Sequence, residues 1–250
     1  MKIAKLLAAA AAAALLLMPA NSATAAPAED STVHKNIAGG STTSVSAAPF
    51  AAQVSFDAAG TRVGCAGSQI SASWVITAKH CNSTSLRSVR LGSTYLQSGG
   101  TVRTVAARYA SPMGDVLLLK LSAPHYGTYV GLSGSFPASG EAAKVYGWGY
   151  QSEGSGAMSY FLKAADVTVT GQGSDPSGGP TVTTRSRTGH TLNGDSGGPL
   201  IVNGKLTGVL STSSILPAQN PSDYTGYTND HASVARNLSW ITSVSGVPGS

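Results

Sequence analysis

Residues 194–199 read Gly194-Asp195-Ser196-Gly197-Gly198-Pro199, the strongest local signal in the chain. Glycines on both sides let the backbone pass close to another molecule and leave the serine hydroxyl exposed. A serine in a glycine-rich turn proves nothing alone. It becomes a nucleophile only beside a base that takes its proton and an acid that orients the base. Those partners must come from elsewhere in the chain.

The histidines are His34, His80, His125, His190 and His231. His34 falls in a short stretch ahead of the β-rich sequence. His80 ends the run Trp74-Val75-Ile76-Thr77-Ala78-Lys79-His80-Cys81, so a hydrophobic strand leads straight into it. A catalytic histidine must be held to within about half an ångström, and a rigid strand end suits that demand. The candidate acid is Asp115, in Gly114-Asp115-Val116-Leu117-Leu118-Leu119-Lys120-Leu121. A carboxylate at the entrance to so apolar a strand is partly buried, and burial without a partner is costly. The plain alternative is a turn aspartate facing water.

Around these segments the chain reads as all-β. Short β-type runs recur at 51–56, 69–77, 89–91, 101–107, 116–121, 143–148, 164–170, 199–202 and 206–211. Gly60, Gly92, Gly99-Gly100, Pro124, Gly131, Gly140 and Gly204 separate them. Such spacing predicts a barrel or sandwich. No βαβ alternation appears, which argues against a parallel sheet. One helix is predicted from about Asp230 to Val244, with Val234, Leu238, Ile241 and Ser245 on one face and Asn229 or Asp230 as its cap. Residues 171–180 read as a low-complexity loop.

The first residues read as a segment to be removed. Lys2 and Lys5 precede an unbroken apolar run at 6–18, then Pro19 and the small residues Ala23-Thr24-Ala25. This is the pattern of a secretory signal peptide over residues 1–25. The run is shorter than the ~20 apolar residues needed to span a membrane. In an oxidising compartment Cys65 and Cys81 read as one disulfide rather than two free thiols. Neither has metal-ligand spacing with a histidine, and no acidic cluster announces calcium. The whole chain carries +5, and beyond residue 36 thirteen basic residues face nine acidic ones. The basic residues are scattered singly, so no nucleic-acid partner is expected.

Together the three segments resemble the chymotrypsin/trypsin-like serine proteases. Thr77-Ala78-Lys79-His80-Cys81 matches the histidine motif except at Lys79, where alanine is usual. The strand from Asp115 to Leu121 resembles the aspartate segment, and 194–199 is the nucleophile motif without a mismatch. Ile37-Ala38-Gly39-Gly40 resembles the mature N-terminus, Tyr146-Gly147-Trp148-Gly149 a structural motif between barrels, and Trp240-Ile241 the terminal helix. The order His, Asp, Ser is the family's own.

The resemblance implies two six-stranded antiparallel Greek-key barrels, at about 37–135 and 136–228, followed by a helix at about 230–245. It implies a secreted enzyme that hydrolyses peptide bonds, with His80, Asp115 and Ser196 as triad and the N–H groups of Gly194 and Ser196 as oxyanion hole. Ser211 would anchor Asp115, and Cys65–Cys81 matches the disulfide beside the histidine. Asp195 would receive the new amine of Ile37 once an activation peptide, residues 26–36, is cut away; Asn36 is an unusual residue at that cut. Protein or peptide substrates and protein inhibitors are the expected partners, a monomer the expected state, and no cofactor or metal is called for.

Departures concern the substrate pocket. Leu192 stands where many members place a cysteine. His190 stands at the pocket base, where trypsin-like members carry the aspartate that binds Lys or Arg, so basic specificity is not expected. Thr191, Ser211 and Ser213 would complete the lining. Hydroxyls with a histidine suit an acidic or amide side chain; with His190 turned aside the pocket suits an apolar one. Asp223, reaching in from a later loop, would restore basic specificity. Ser177-Gly178-Gly179-Pro180 repeats the end of the nucleophile motif and reads as a loop. Residues 194–198 also satisfy the nucleophile elbow of α/β-hydrolases, but only His231 follows the serine and the βαβ pattern is missing. The other readings are a protease-like binding protein without activity, although all three triad candidates are present, and an esterase using the same triad, since acyl transfer is common to both.

Overall fold

The computed structural model describes residues 37–214 and 224–250. The expected signal peptide, the expected activation peptide and Asp223 lie outside the described residues. Two closed antiparallel barrels follow one another along the chain.

The first barrel contains β2 (Ala51–Ser55), β3 (Val63–Ser71), β4 (Trp74–Thr77), β5 (Ser88–Leu91), β6 (Thr101–Ala110) and β7 (Leu117–Leu121), closed in the order β2-β3-β4-β7-β6-β5; β1 (Ser41–Thr42) instead joins the second. The second contains β8 (Ala142–Gly147), β9 (Lys163–Ser174), β10 (Pro180–Ser186), β11 (Pro199–Val202), β12 (Lys205–Ser213) and β13 (Thr228–Ser233). β8 pairs with both β9 and β11, which closes this ring, and β1 lies on the edge of β9. The helix α1 (Val234–Ser245) ends the fold and buries Val234 and Ile241 in the larger apolar cluster.

Register explains why distant segments meet. β4 and β7 run antiparallel with Ile76 opposite Leu118 and Thr77 opposite Leu117. The end of β4, which leads to His80, therefore lies beside the start of β7, which follows Asp115. Burial of Leu117, Leu118 and Leu119 enforces that register, because a one-residue slip would turn apolar side chains outward. In the second barrel Pro199 pairs with Val209 across a tight hairpin whose Asn203 and Gly204 both have positive φ. That hairpin brings residues 196–198 alongside Leu210 and Ser211.

The structure departs from the sequence pattern in three places. The run at 69–77 is a hairpin, the end of β3 followed by β4. β9 continues through Gly171–Ser174 and β10 starts at Pro180, so the loop is only 175–179. The helix begins at Val234 with the Ser233 hydroxyl accepting from Arg236 N, not at Asp230. Asn229 and Asp230 belong to β13, where Asp230 Oδ1 accepts from the hydroxyls of Thr181 and Thr183. Strand pairing on both sides of β13 outweighs its capping potential.

Candidate active site

A short 3-10 turn, Lys79–Cys81, carries His80 off the end of β4. The Cys65–Cys81 disulfide ties that turn to β3, with Cα atoms 6.5 Å apart. Asp115 sits almost fully buried in the loop before β7. His80 N donates to Asp115 Oδ1 at 2.9 Å, and His80 Nδ1 lies 2.7 Å from Oδ2. Ser211 Oγ, at the end of β12, donates to the same Oδ2 at 2.6 Å. Burial pushes the Asp115 carboxyl up, but the bonds from His80 and Ser211 outweigh it and hold it below the ordinary carboxylate range. With Nδ1–H donating to the carboxylate, Nε2 is the free, basic nitrogen, and the ring remains half exposed to incoming groups.

The serine turn docks on this segment from the other barrel. Ser196 O accepts from Ala66 N at 2.8 Å, and Gly197 N donates to Leu210 O at 2.8 Å. Gly197 has φ +81, and a Cβ there would collide with Thr77 Oγ1 and lie 2.8 Å from Ala78 N. The turn thus reaches the His80 strand only because residue 197 has no side chain. Gly194, φ +94, packs against Met158, whose Cε would lie 2.9 Å from a Cβ there. Among the described residues no hydrogen bond joins Ser196 Oγ to His80, and the N–H groups of Gly194 and Ser196 have no hydrogen-bond partner. Two donors, with one residue between them, are thus left open in a half-buried turn.

Between those donors lies Asp195, fully buried. Its Oδ1 accepts from Gly149 N at 2.7 Å and its Oδ2 from Leu192 N at 3.0 Å. Burial pushes its carboxyl up to about 7, the two N–H groups opposing only part of the effect. A Cβ at Gly147 or Gly149 would overlap this carboxylate, so the Tyr146-Gly147-Trp148-Gly149 stretch is its cradle. Ile37 is also fully buried, and the next residue, Ala38, pairs with His190.

A cavity of about 240 Å³ opens beside Ser196, lined among others by Leu192, Ser211, Thr212, Ser213 and Glu153. Of the residues expected at the substrate pocket, Ser211 and Ser213 line this cavity, and His190 and Thr191 do not. The His190 ring is fully buried, and both its nitrogens are engaged. Ser214 O accepts from Nε2 at 3.1 Å, which leaves Nδ1 to accept from Ser186 Oγ at 3.1 Å. Tyr224 stacks on the ring, and burial lowers its pKa to about 4, so it is neutral at pH 7. Thr191 Oγ1 donates to Asn229 Oδ1 and takes the Ser213 hydroxyl, both at 2.7 Å. Glu153, which the sequence did not single out, is the charged residue of the lining. Also unforeseen are Lys79 Nζ, which donates to Ser111 O at 3.1 Å, and Asp175, which meets Asp115 from the second barrel. No local pattern marks either; both contacts cross between loops far apart in the chain.

Among the described residues one group has metal-ligating atoms together, Cys65, His80 and Cys81. Its sulfurs are bonded to each other and offer no thiolate. No described helix is long and apolar enough to cross a membrane.

Comparison with known proteins gives one consistent answer. The trypsin family description matches residues 37–241. Trypsin alpha of Drosophila erecta is 34% identical over 230 residues, covering 83% of this chain and 86% of its own. Trypsin alpha of Drosophila melanogaster is 32% identical over 232 residues, with coverage of 83% and 86%. In structure, human heparin binding protein superposes with a TM-score of 0.70 at 26% identity, over 84% of this chain and 97% of that one. Neuropsin, a serine protease of mouse brain, gives 0.66 at 26% identity, over 78% and 94%. With its paired barrels, terminal helix and histidine–aspartate contact between β4 and β7, the chain belongs to the trypsin family of serine proteases.

Proposed function

We propose that this protein is a secreted serine endopeptidase, made as a zymogen, that cuts peptide bonds through an acyl-enzyme. The observation that carries the reading is the pair of unpartnered N–H groups at Gly194 and Ser196, set in a turn docked on the segment that leads to a histidine whose Nδ1 a buried carboxylate holds. Ser196 Oγ attacks the carbonyl carbon while His80 Nε2 takes its proton. The imidazolium keeps its Nδ1–H on Asp115 Oδ2, and the oxyanion forms where the two N–H groups point. One such donor is worth about 10²–10³ in rate. His80 then protonates the departing amine, and water repeats the sequence on the acyl-enzyme.

Asp195 supports the zymogen reading. A fully buried carboxylate with only two N–H partners is a poor end state. Cutting between Asn36 and Ile37 frees an amine on a residue already buried in the apolar cluster of the second barrel, and that amine completes the pairing. The signal pattern of residues 1–25 supports secretion.

For specificity, the neutral His190 offers no charge to a substrate, and among the described residues no aspartate lines the cavity, so cleavage after Lys or Arg is not the primary preference. A second reading rests on Glu153, whose carboxylate at the cavity gives a basic side chain a counter-charge. The decisive test is digestion of a mixed peptide library by the mature wild type, Ser196→Ala and Glu153→Gln. Cuts made by the wild type and lost in Ser196→Ala establish the protease. Cuts after Lys or Arg that disappear in Glu153→Gln support the second reading. No Ser196-dependent cut at all would turn the assignment to a binding protein on this scaffold, as the name of the heparin-binding neighbour suggests for that protein.

A further inference from the structure

Asp115 reaches His80 with both carboxylate oxygens, yet its backbone lies outside the barrel ladder, between the end of β6 at Ala110 and the start of β7 at Leu117. The loop is closed by Ser111 N donating to Val116 O at 2.8 Å, and Asn237 of α1 accepts from Ser111 Oγ at 2.6 Å. The N–H of Asp115 itself receives no backbone partner from this loop. Its partner is Asp175 Oδ2, at 2.8 Å.

Asp175 stands 60 residues away, in the turn between β9 and β10 of the other barrel. It is itself buried, and its Oδ1 accepts from Ser177 N at 2.8 Å and Gly179 N at 2.9 Å. The two loops interlock without room for side chains. A Cβ on Gly114 would lie 2.9 Å from Asp175 Oδ2, and one on Gly179 would lie 2.5 Å from Met113 O and collide with the Gly114 Cα. The stretch Ser177-Gly178-Gly179-Pro180 is therefore a turn shaped to carry one carboxylate to one N–H.

We propose that Asp175 is a positioning residue for the triad acid: by holding the Asp115 backbone from the second barrel, it keeps both Asp115 oxygens on His80. The proposal rests on the triad reading above. A neutral turn residue would close the β9–β10 connection equally well, but only an acceptor reaching beyond its own turn ties that turn to the histidine's partner. A bond from N–H to an ionised carboxylate is short and strong, which suits a site where a shift of about 1 Å costs about 10² in rate.

The test is Asp175→Asn, which keeps the shape and one acceptor for the turn but presents an amide NH₂ to the Asp115 N–H. Rates are measured against pH on a peptide ester and normalised to sites titrated with a serine-directed acylating reagent, so unfolded molecules do not count. Wild type and Ser196→Ala run alongside. The expected result is a fall in kcat of about 10–100-fold at unchanged KM, with the acid limb of the kcat/KM profile moved to lower pH. Wild-type kcat per titrated site overturns the proposal. So does a fall in kcat with the acid limb unmoved, which assigns Asp175 to loop architecture alone, or a change confined to KM. If Asp175→Asn gives no folded protein, Gly114→Ala, which pushes the same oxygen aside, is judged by the same criteria. Absence of Ser196-dependent cleavage in the wild type removes the triad reading, and this proposal with it.

Discussion

The buried Asp195 makes the zymogen reading measurable without an activity assay. Its carboxyl is raised from 3.8 to about 7, chiefly by burial. A rise of about 3 pH units corresponds to about 4 kcal/mol at 1.36 kcal/mol per unit. The folded state binds this proton more tightly than the unfolded chain, so between pH 4 and 7 the folded state holds more protons. Stability from this group therefore falls as pH rises, with no penalty below pH 4 and the full penalty above pH 7. Two buried histidines act in the opposite direction. Burial lowers His190 from 6.5 to about 4 and His231 to about 3, so each destabilises the fold as pH drops below 6.5. A single stability–pH curve mixes the three.

The comparison that isolates Asp195 is between the uncut chain and one beginning at Ile37, both carrying Ser196→Ala to prevent self-digestion. The histidines contribute equally to both. In the cut form the Ile37 amine, charged across this range, holds Asp195 ionised, so the penalty is absent. Urea unfolding at pH 4 to 7.5 is expected to show the stability gap growing by up to about 4 kcal/mol in favour of the cut form. Parallel curves would refute the pairing, and with it the role given to Ile37.

Other expectations are simpler. Ser211→Ala removes one of the bonds that hold Asp115 below the ordinary carboxylate range, and kcat/KM on a peptide ester is expected to drop about 10-fold, a bond to a charged group being worth roughly 1.5–3 kcal/mol. An unchanged rate would show that the remaining bonds, from His80 and Asp175, suffice to position the acid. Replacing Cys65 and Cys81 together by Ala opens a loop spanning 16 residues and is expected to lower unfolding free energy by about 3 kcal/mol. A loss under 1 kcal/mol in denaturant titration would mean that the β3–β4 hairpin already fixes the histidine turn.

What the sequence disclosed were features whose chemistry is local. The nucleophile turn is legible because glycines at 194 and 197 must flank a serine that is both exposed and pressed against another strand. The β4 and β7 segments are legible because short continuous apolar runs bounded by turn residues read as buried strands. The helix starts later than the sequence predicts because Asp230, a good cap in isolation, has its oxygen taken by hydroxyls of β10, distant in sequence. His190 was placed by position relative to Ser196, but its ring direction depends on Ser186, Ser214 and Tyr224, which no motif connects.

Asp175 shows the limit most clearly. In sequence, Asp175-Pro176-Ser177-Gly178-Gly179-Pro180 has every property of a loop, and it is one. Its carboxylate first satisfies its own turn, which is the ordinary duty of such an aspartate. Only the second oxygen has a wider function, and whether it points at solvent or at Asp115 depends on how two barrels meet. Residue pattern fixes the turn, and packing of Gly114 against Gly179 aims it. That separation recurs across the site: chemistry-bearing side chains follow local rules, whereas the groups that aim them are supplied by the opposite barrel, as Asp175 and Ser211 are for Asp115. If Asp115 is the catalytic acid proposed above, an acid held from the second barrel responds to any change in how the barrels dock, so substitutions at that seam should reach the chemistry before they reach the fold.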